Sequence, residues 1–169
     1  MLIGMLDEER LNYVGAMVLG LNDALVELTG AIAGFTFALA DTRLAALSGI
    51  ITGISATLSM AASNYLAEKA DGSKNAMKSS VTTGIAYLIT VALLVLPYLL
   101  FSPGRYVLAL IVMLLTAVLI ILVFNYYISV AKSQPFLKNF LSMALISLSV
   151  ALISFFIGLL AKKLLGVEI

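Results

Sequence analysis

Two carboxylates, Asp23 and Glu27, stand in the middle of the otherwise apolar run Gly20-Leu21-Asn22-Asp23-Ala24-Leu25-Val26-Glu27. Four residues of helix return the chain to nearly the same face, about 6 Å further along the axis, so both acids point into one polar stripe. No Lys or Arg inside the long apolar stretches is placed to neutralise them. An unpaired carboxylate in lipid is costly, so such acids must face water, bind a cation or hold a proton. Two carboxylates this close favour sharing a proton until a cation displaces it, which makes metal/proton exchange the natural hypothesis. The structural alternative is a protonated pair that hydrogen-bonds neighbouring helices as glue.

A second apolar run carries a polar stripe of its own, Thr52, Ser55, Ser59 and Ser63, with Met60 and Asn64 one turn apart on an adjoining face. Small hydroxyl residues at this spacing are common between membrane helices, so the stripe alone reads as packing. Met60 beside a carboxylate path is more informative. A thioether adds little for calcium or magnesium and suits softer transition metals, although methionine is also an ordinary core filler. The chain has no cysteine and no histidine, which removes disulfides, thiolate and imidazole ligands, and every catalytic arrangement built on them. Metal must then be held by carboxylates, amides, hydroxyls, carbonyls or methionine sulfur.

The elements that position these groups are membrane helices. Of the 169 residues, 62% are hydrophobic and only 11% charged, far from the balance of soluble domains. A helix needs roughly 20 mainly apolar residues to cross the hydrocarbon layer. Stretches near 12–40, 44–67, 81–101, 106–131 and 137–162 meet that need, separated by Asp41-Thr42-Arg43, Glu68 to Lys78, Ser102 to Arg105 and Lys132 to Pro135. The spacing therefore predicts one all-α polytopic domain over 1–169, with five transmembrane helices and no second domain. With the N-terminus inside, Arg10, Lys69, Lys74, Lys78, Lys132 and Lys138 fall in the cytoplasm against Arg43, Arg105, Lys162 and Lys163 outside, so an N-in, C-out topology is expected. The acidic run Asp7-Glu8-Glu9 does not fit a cleavable signal peptide. Net charge is +1 with scattered basic residues, which gives no footprint for nucleic acid. Gly30-xxx-Gly34 and Gly49-xxx-Gly53 allow close helix approach within or between subunits, Tyr98, Tyr126 and Tyr127 fall near span ends where tyrosines favour the interface, and Pro97 predicts a kink.

The run Gly20 to Glu27, followed by Leu58-Ser59-Met60-Ala61-Ala62-Ser63-Asn64-Tyr65, resembles the first two helices of the vacuolar iron transporter family. The later helices are compatible with that family but generic. The resemblance implies Fe²⁺ or Mn²⁺ carried in exchange for protons by a homodimer whose path is lined by the first two helices. It places the family's first-helix aspartate on Asp23 and its second-helix methionine on Met60, with Glu27 matching prokaryotic members. The departure is Asn64, where the family usually has a glutamate. A neutral amide offers a carbonyl oxygen but neither binds nor releases a proton, and Glu68, one turn on, is the candidate substitute.

The expected metal-handling set is therefore Asp23, Glu27, Met60, Asn64 and Glu68, acting on transported Fe²⁺ or Mn²⁺ with no permanently bound cofactor. The segment Glu68 to Lys78 is too short for the acid-rich metal-binding insert of plant and protist members, so a separate ferritin-like or iron-storage partner is an expectation. The chain is expected to be a secondary transporter rather than an enzyme, exporting metal across a prokaryotic plasma membrane. The alternative is a non-transporting membrane subunit that anchors a soluble metal-storage partner. No Gly-x-x-x-x-Gly-Lys-Ser/Thr motif supports nucleotide-driven pumping.

Overall fold

In the computed structural model, residues 2–132 and 134–166 are described, with side chains for 14–130 and 134–166. The side chains of Asp7, Glu8, Glu9, Arg10 and Lys132 lie outside the described set. The order is α1 (Leu2–Leu39), α2 (Thr42–Ala70), α3 (Ala76–Leu100), a 3-10 turn (Pro103–Arg105), α4 (Tyr106–Lys132) and α5 (Phe136–Leu165). Among the described residues, five helices are long and apolar enough to cross a membrane: Val14–Leu39, Thr42–Ala70, Ala76–Leu100, Pro103–Val130 and Phe136–Leu165. The protein is an all-α integral membrane protein.

The reversals are tight because local chemistry ends each helix. Ala40 adopts a left-handed φ of 50° after α1, and Asp41 then caps α2, its Oδ1 accepting from the backbone N–H groups of Arg43 at 2.7 Å and Leu44 at 3.1 Å. The polar break expected over Glu68 to Lys78 is largely helical. Only 71–75 connects α2 to α3, because charged residues beyond the hydrocarbon need not end a helix, and the stop comes at Gly72 with φ +73°. Pro97 sits in the last turn of α3, where the missing N–H frees only the Leu93 carbonyl with three helical residues left to follow, and the helix closes with Phe101 N–H donating to the Pro97 carbonyl at 3.2 Å.

α1 is the hub, packing on α5, α3 and α2 and more lightly on α4, while α2 rests on α3 and α1. Leu25, Leu28 and Ile32 of α1 meet Tyr87 and Leu94 of α3 and Met113 and Ile121 of α4 in the core. Outward faces are apolar, as at Leu115, Leu119, Leu145 and Ile153. Lipid, not water, is the solvent that such a surface suits. The glycine motifs serve packing within the chain. A Cβ at Gly158 of α5 would strike the carbonyl oxygen of Gly34, and one at Gly30 would come within 2.7 Å of Val150 Cγ1. Gly49 and Gly53 admit Ile32, Val95 and Val91 in the same way. Tyr98 departs from the expected interfacial position. It is 1% exposed, and its hydroxyl pairs with Thr36 Oγ1 at 2.6 Å, which satisfies the phenol inside the bundle. Tyr126 and Tyr127 are exposed near the other end.

Candidate metal groove between α1 and α2

Asp23 and Glu27 lie near the centre of the Val14–Leu39 span. They line an open groove of about 490 Å³ whose opposite wall is α2: Thr52, Ser55, Ser59, Met60 and Ser63, with Ile51 at the rim. Asp23 is half-buried and Glu27 exposed. The four-residue spacing thus delivers both acids to one surface, and an α2 face of the same period supplies hydroxyls and a thioether opposite them. The hydroxyl stripe, which read as packing glue in the sequence, makes no hydrogen bond to another described residue through Thr52, Ser55, Ser59 or Ser63 and faces the groove instead.

Tyr87, in the middle of α3, is the contributor that the sequence reading did not reach. It is fully buried, and its hydroxyl donates to Glu27 Oε2 at 3.0 Å, which holds one carboxylate oxygen. The available signal was positional, since tyrosines favour the ends of membrane spans and one at the centre needs a hydrogen-bonding partner.

Asn64 and Glu68 lie outside the groove lining. Asn64 is buried against α3, its amide donating to Ser79 Oγ at 3.0 Å and Thr83 Oγ1 at 2.9 Å. Glu68 Oε1 accepts from Ser79 Oγ at 3.3 Å. The Thr83 hydroxyl, with one proton to give, is 3.1 Å from both the Ala16 and the Ser79 carbonyl oxygens. A Cβ at Gly20 would collide with the Thr83 carbonyl oxygen, so α1 and α3 touch at this level. Asn64 therefore belongs to a knot joining α1, α2 and α3. The five sequence-expected residues divide into Asp23, Glu27 and Met60 on the groove, and Asn64 and Glu68 on the α2–α3 seam.

Among the described residues no group of three or more His, Cys, Asp or Glu side chains is gathered to hold a metal. The groove instead combines a carboxylate pair with neutral oxygens and one thioether, a mixed donor set that suits divalent transition ions. Residues 14–72 match the model of the VIT family. That match supports membership of the vacuolar iron transporter family. It spans the membrane part of α1, the whole of α2 and the turn after it, so both groove walls fall inside the matched region. A match to that family points to metal-ion transport and is consistent with a transporter. No curated protein matches the chain.

Proposed function

We propose that this protein carries Fe²⁺ or Mn²⁺ out of the cytoplasm in exchange for protons, as a homodimer with its path at the α1–α2 groove. The observation that supports this reading is the placement of Asp23 and Glu27 on an outward-opening groove at mid-span depth. Hydrocarbon cannot line such a surface, because ionised groups at this depth need water, a cation or a covering protein. A second copy is the cover that also completes a site. Two-fold pairing turns two carboxylates and one thioether into four and two, enough for a six-coordinate ion without histidine. The apolar rim of α2, with Leu47, Ile51, Ile54 and Leu58 exposed, offers the area for that contact.

Softness of the Met60 sulfur favours transition ions over magnesium and calcium. A proton occupying the carboxylate pair in place of metal would balance charge as the ion leaves. The N-in orientation rests on the basic-residue count, to which Arg10 and Lys132 contribute; it makes the end carrying the α2–α3 and α4–α5 connections cytoplasmic. The membrane in this reading is a prokaryotic plasma membrane.

The test is metal flux into proteoliposomes containing a pH indicator, for the unmodified chain and for Asp23→Asn. Opposed Fe²⁺ or Mn²⁺ and proton fluxes that vanish in Asp23→Asn are expected. Absence of flux at every imposed pH gradient would remove the transport reading in favour of a membrane subunit that anchors a soluble metal-storage partner.

A further inference from the structure

α1 borders a second concavity, which no α2 residue lines and which sets several amides among a mostly apolar surface. It has a volume of about 430 Å³, lies between α1, α4 and α5, and is lined by Asn22, Asn125, Gln134, Asn139, Ser142 and Met143 together with apolar neighbours. Its lining reaches the α4–α5 connection, where Asn139 Nδ2 donates to Gln134 Oε1 at 3.0 Å. Further in, Asn125 Nδ2 donates to the Ile121 carbonyl at 2.8 Å and lies 3.5 Å from Met143 Sδ. At the α1 wall stands Asn22, whose Oδ1 is closed off from solvent without a hydrogen-bond partner. Rotation about χ2 presents either end of that amide to the cavity.

An unsatisfied amide at this depth is costly against hydrocarbon, and an acyl chain filling the cavity would leave it so. Water, both donor and acceptor, serves the amides of this lining, and the space is roomy enough to hold it, with Asn22, Asn125, Gln134, Asn139 and Ser142 as polar partners in a mostly apolar wall. No ionisable side chain is among the lining residues, so the cavity admits water without concentrating a cation. The same Asn22 also borders a shallower hollow shared with Asp23, lined by Gly15, Val18, Leu19 and Val26. Asp23 in turn borders the metal groove. Asn22 and Asp23 are therefore neighbouring polar groups on α1 that link the cavity to the metal groove, across a hollow whose other lining residues are apolar.

We propose that the α1/α4/α5 cavity is a water-filled vestibule that gives the Asp23 flank a second aqueous access, separate from the α1–α2 groove. It deepens the transport reading by giving the carboxylate site two wet sides, but the hydration it asserts is measurable without transport.

The chain has no cysteine, so single-cysteine variants report access directly. Asn22→Cys and Ser142→Cys probe the vestibule, and Leu145→Cys is the control. Ser147 Oγ donates to the Leu25 carbonyl at 2.7 Å, which sets Leu145 close to the level of Asn22, and Leu145 is 64% exposed on the outer face. In membranes, a charged, membrane-impermeant thiosulfonate is expected to modify Asn22→Cys and Ser142→Cys at least tenfold faster than Leu145→Cys. Adding Ser142→Trp to fill the cavity should slow modification of Asn22→Cys by a similar factor. Equal rates at Asn22→Cys and Leu145→Cys, or no slowing by Ser142→Trp, would overturn the vestibule. Fast labelling without metal flux in proteoliposomes would leave it standing and remove the transport reading; flux without labelling would do the reverse.

Discussion

At the scale of single residues, the buried hydrogen bonds around the groove make distinct demands. Tyr87→Phe removes one donor from Glu27 without changing ring volume. Interhelical hydrogen bonds in membranes are worth about 0.6–2 kcal/mol, so we expect a loss of stability on that scale and a weaker apparent metal affinity of roughly three- to thirty-fold if orienting Glu27 matters for binding. Metal titration beside thermal unfolding separates the two, and an unchanged affinity would reduce Tyr87 to a structural tie. Asn64 poses the converse case. Its two donated hydrogen bonds hold α2 to α3, and a carboxylate there would have no proton to give to Ser79 and Thr83 when ionised. Asn64→Glu is therefore expected to destabilise by about 1–4 kcal/mol, from the lost bonds and the buried charge, and to leave metal affinity no better. Tighter metal binding in Asn64→Glu would show that this position reaches the ion after all. The carboxylate pair and Met60 were legible in the sequence because an acid within an apolar run is conspicuous and four-residue spacing fixes its partner. The orientation of Asn64 was not: one helical turn separates it from Met60, and only the approach of α3 decides which of the two is turned inward.

At the scale of elements, five apolar stretches were legible because hydrocarbon thickness sets a minimum length that few other sequences meet. Their ends were less so. The helix-ending signals at 71–75 are local, whereas the polarity that marks a loop in the sequence begins earlier, at Glu68. The face that α2 turns outward was also hidden, because a serine stripe has the same period whether it packs on a helix or lines a groove. The glycine motifs carried the same ambiguity, and packing resolves it in favour of contacts inside one chain. This gives a paired prediction. Gly158→Ala forces a methyl onto the Gly34 carbonyl oxygen at the α1–α5 crossing, while Gly104, in the 3-10 turn, has nothing within 4 Å of an added Cβ. Overpacking of this kind costs about 1–3 kcal/mol, so Gly158→Ala should lower the thermal midpoint in detergent and Gly104→Ala should leave it nearly unchanged. Equal effects of the two substitutions would mean that the α1–α5 contact is looser than the backbone approach implies.

At the scale of the whole molecule, the bundle has its core around α1 and α3, while its most polar intramembrane surface faces outward between α1 and α2. A single protomer would present Glu27, exposed, together with Ser55, Ser59 and Ser63, to lipid. Burying that surface against a copy of itself removes the conflict, and two-fold symmetry then brings identical α2 residues towards one another across the axis. The absence of native cysteines allows a direct check by placing Ser55→Cys, Ser59→Cys and Ser63→Cys one at a time. A disulfide forms only when the two Cα atoms approach within roughly 7 Å, so the series needs both mild oxidation and a short bifunctional thiol linker to cover a wider separation. Cross-linked dimer is expected from at least one of the three in native membranes, with Leu145→Cys on the outer face of α5 giving none. Since the same contact would complete the proposed carboxylate and thioether set, added Mn²⁺ should change the cross-linking rate at the groove in unmodified Asp23 background and fail to do so with Asp23→Asn. A chain that remains monomeric by native mass spectrometry and yields no cross-link would leave its carboxylates to be covered by another protein, and the two-fold metal site would have to be abandoned.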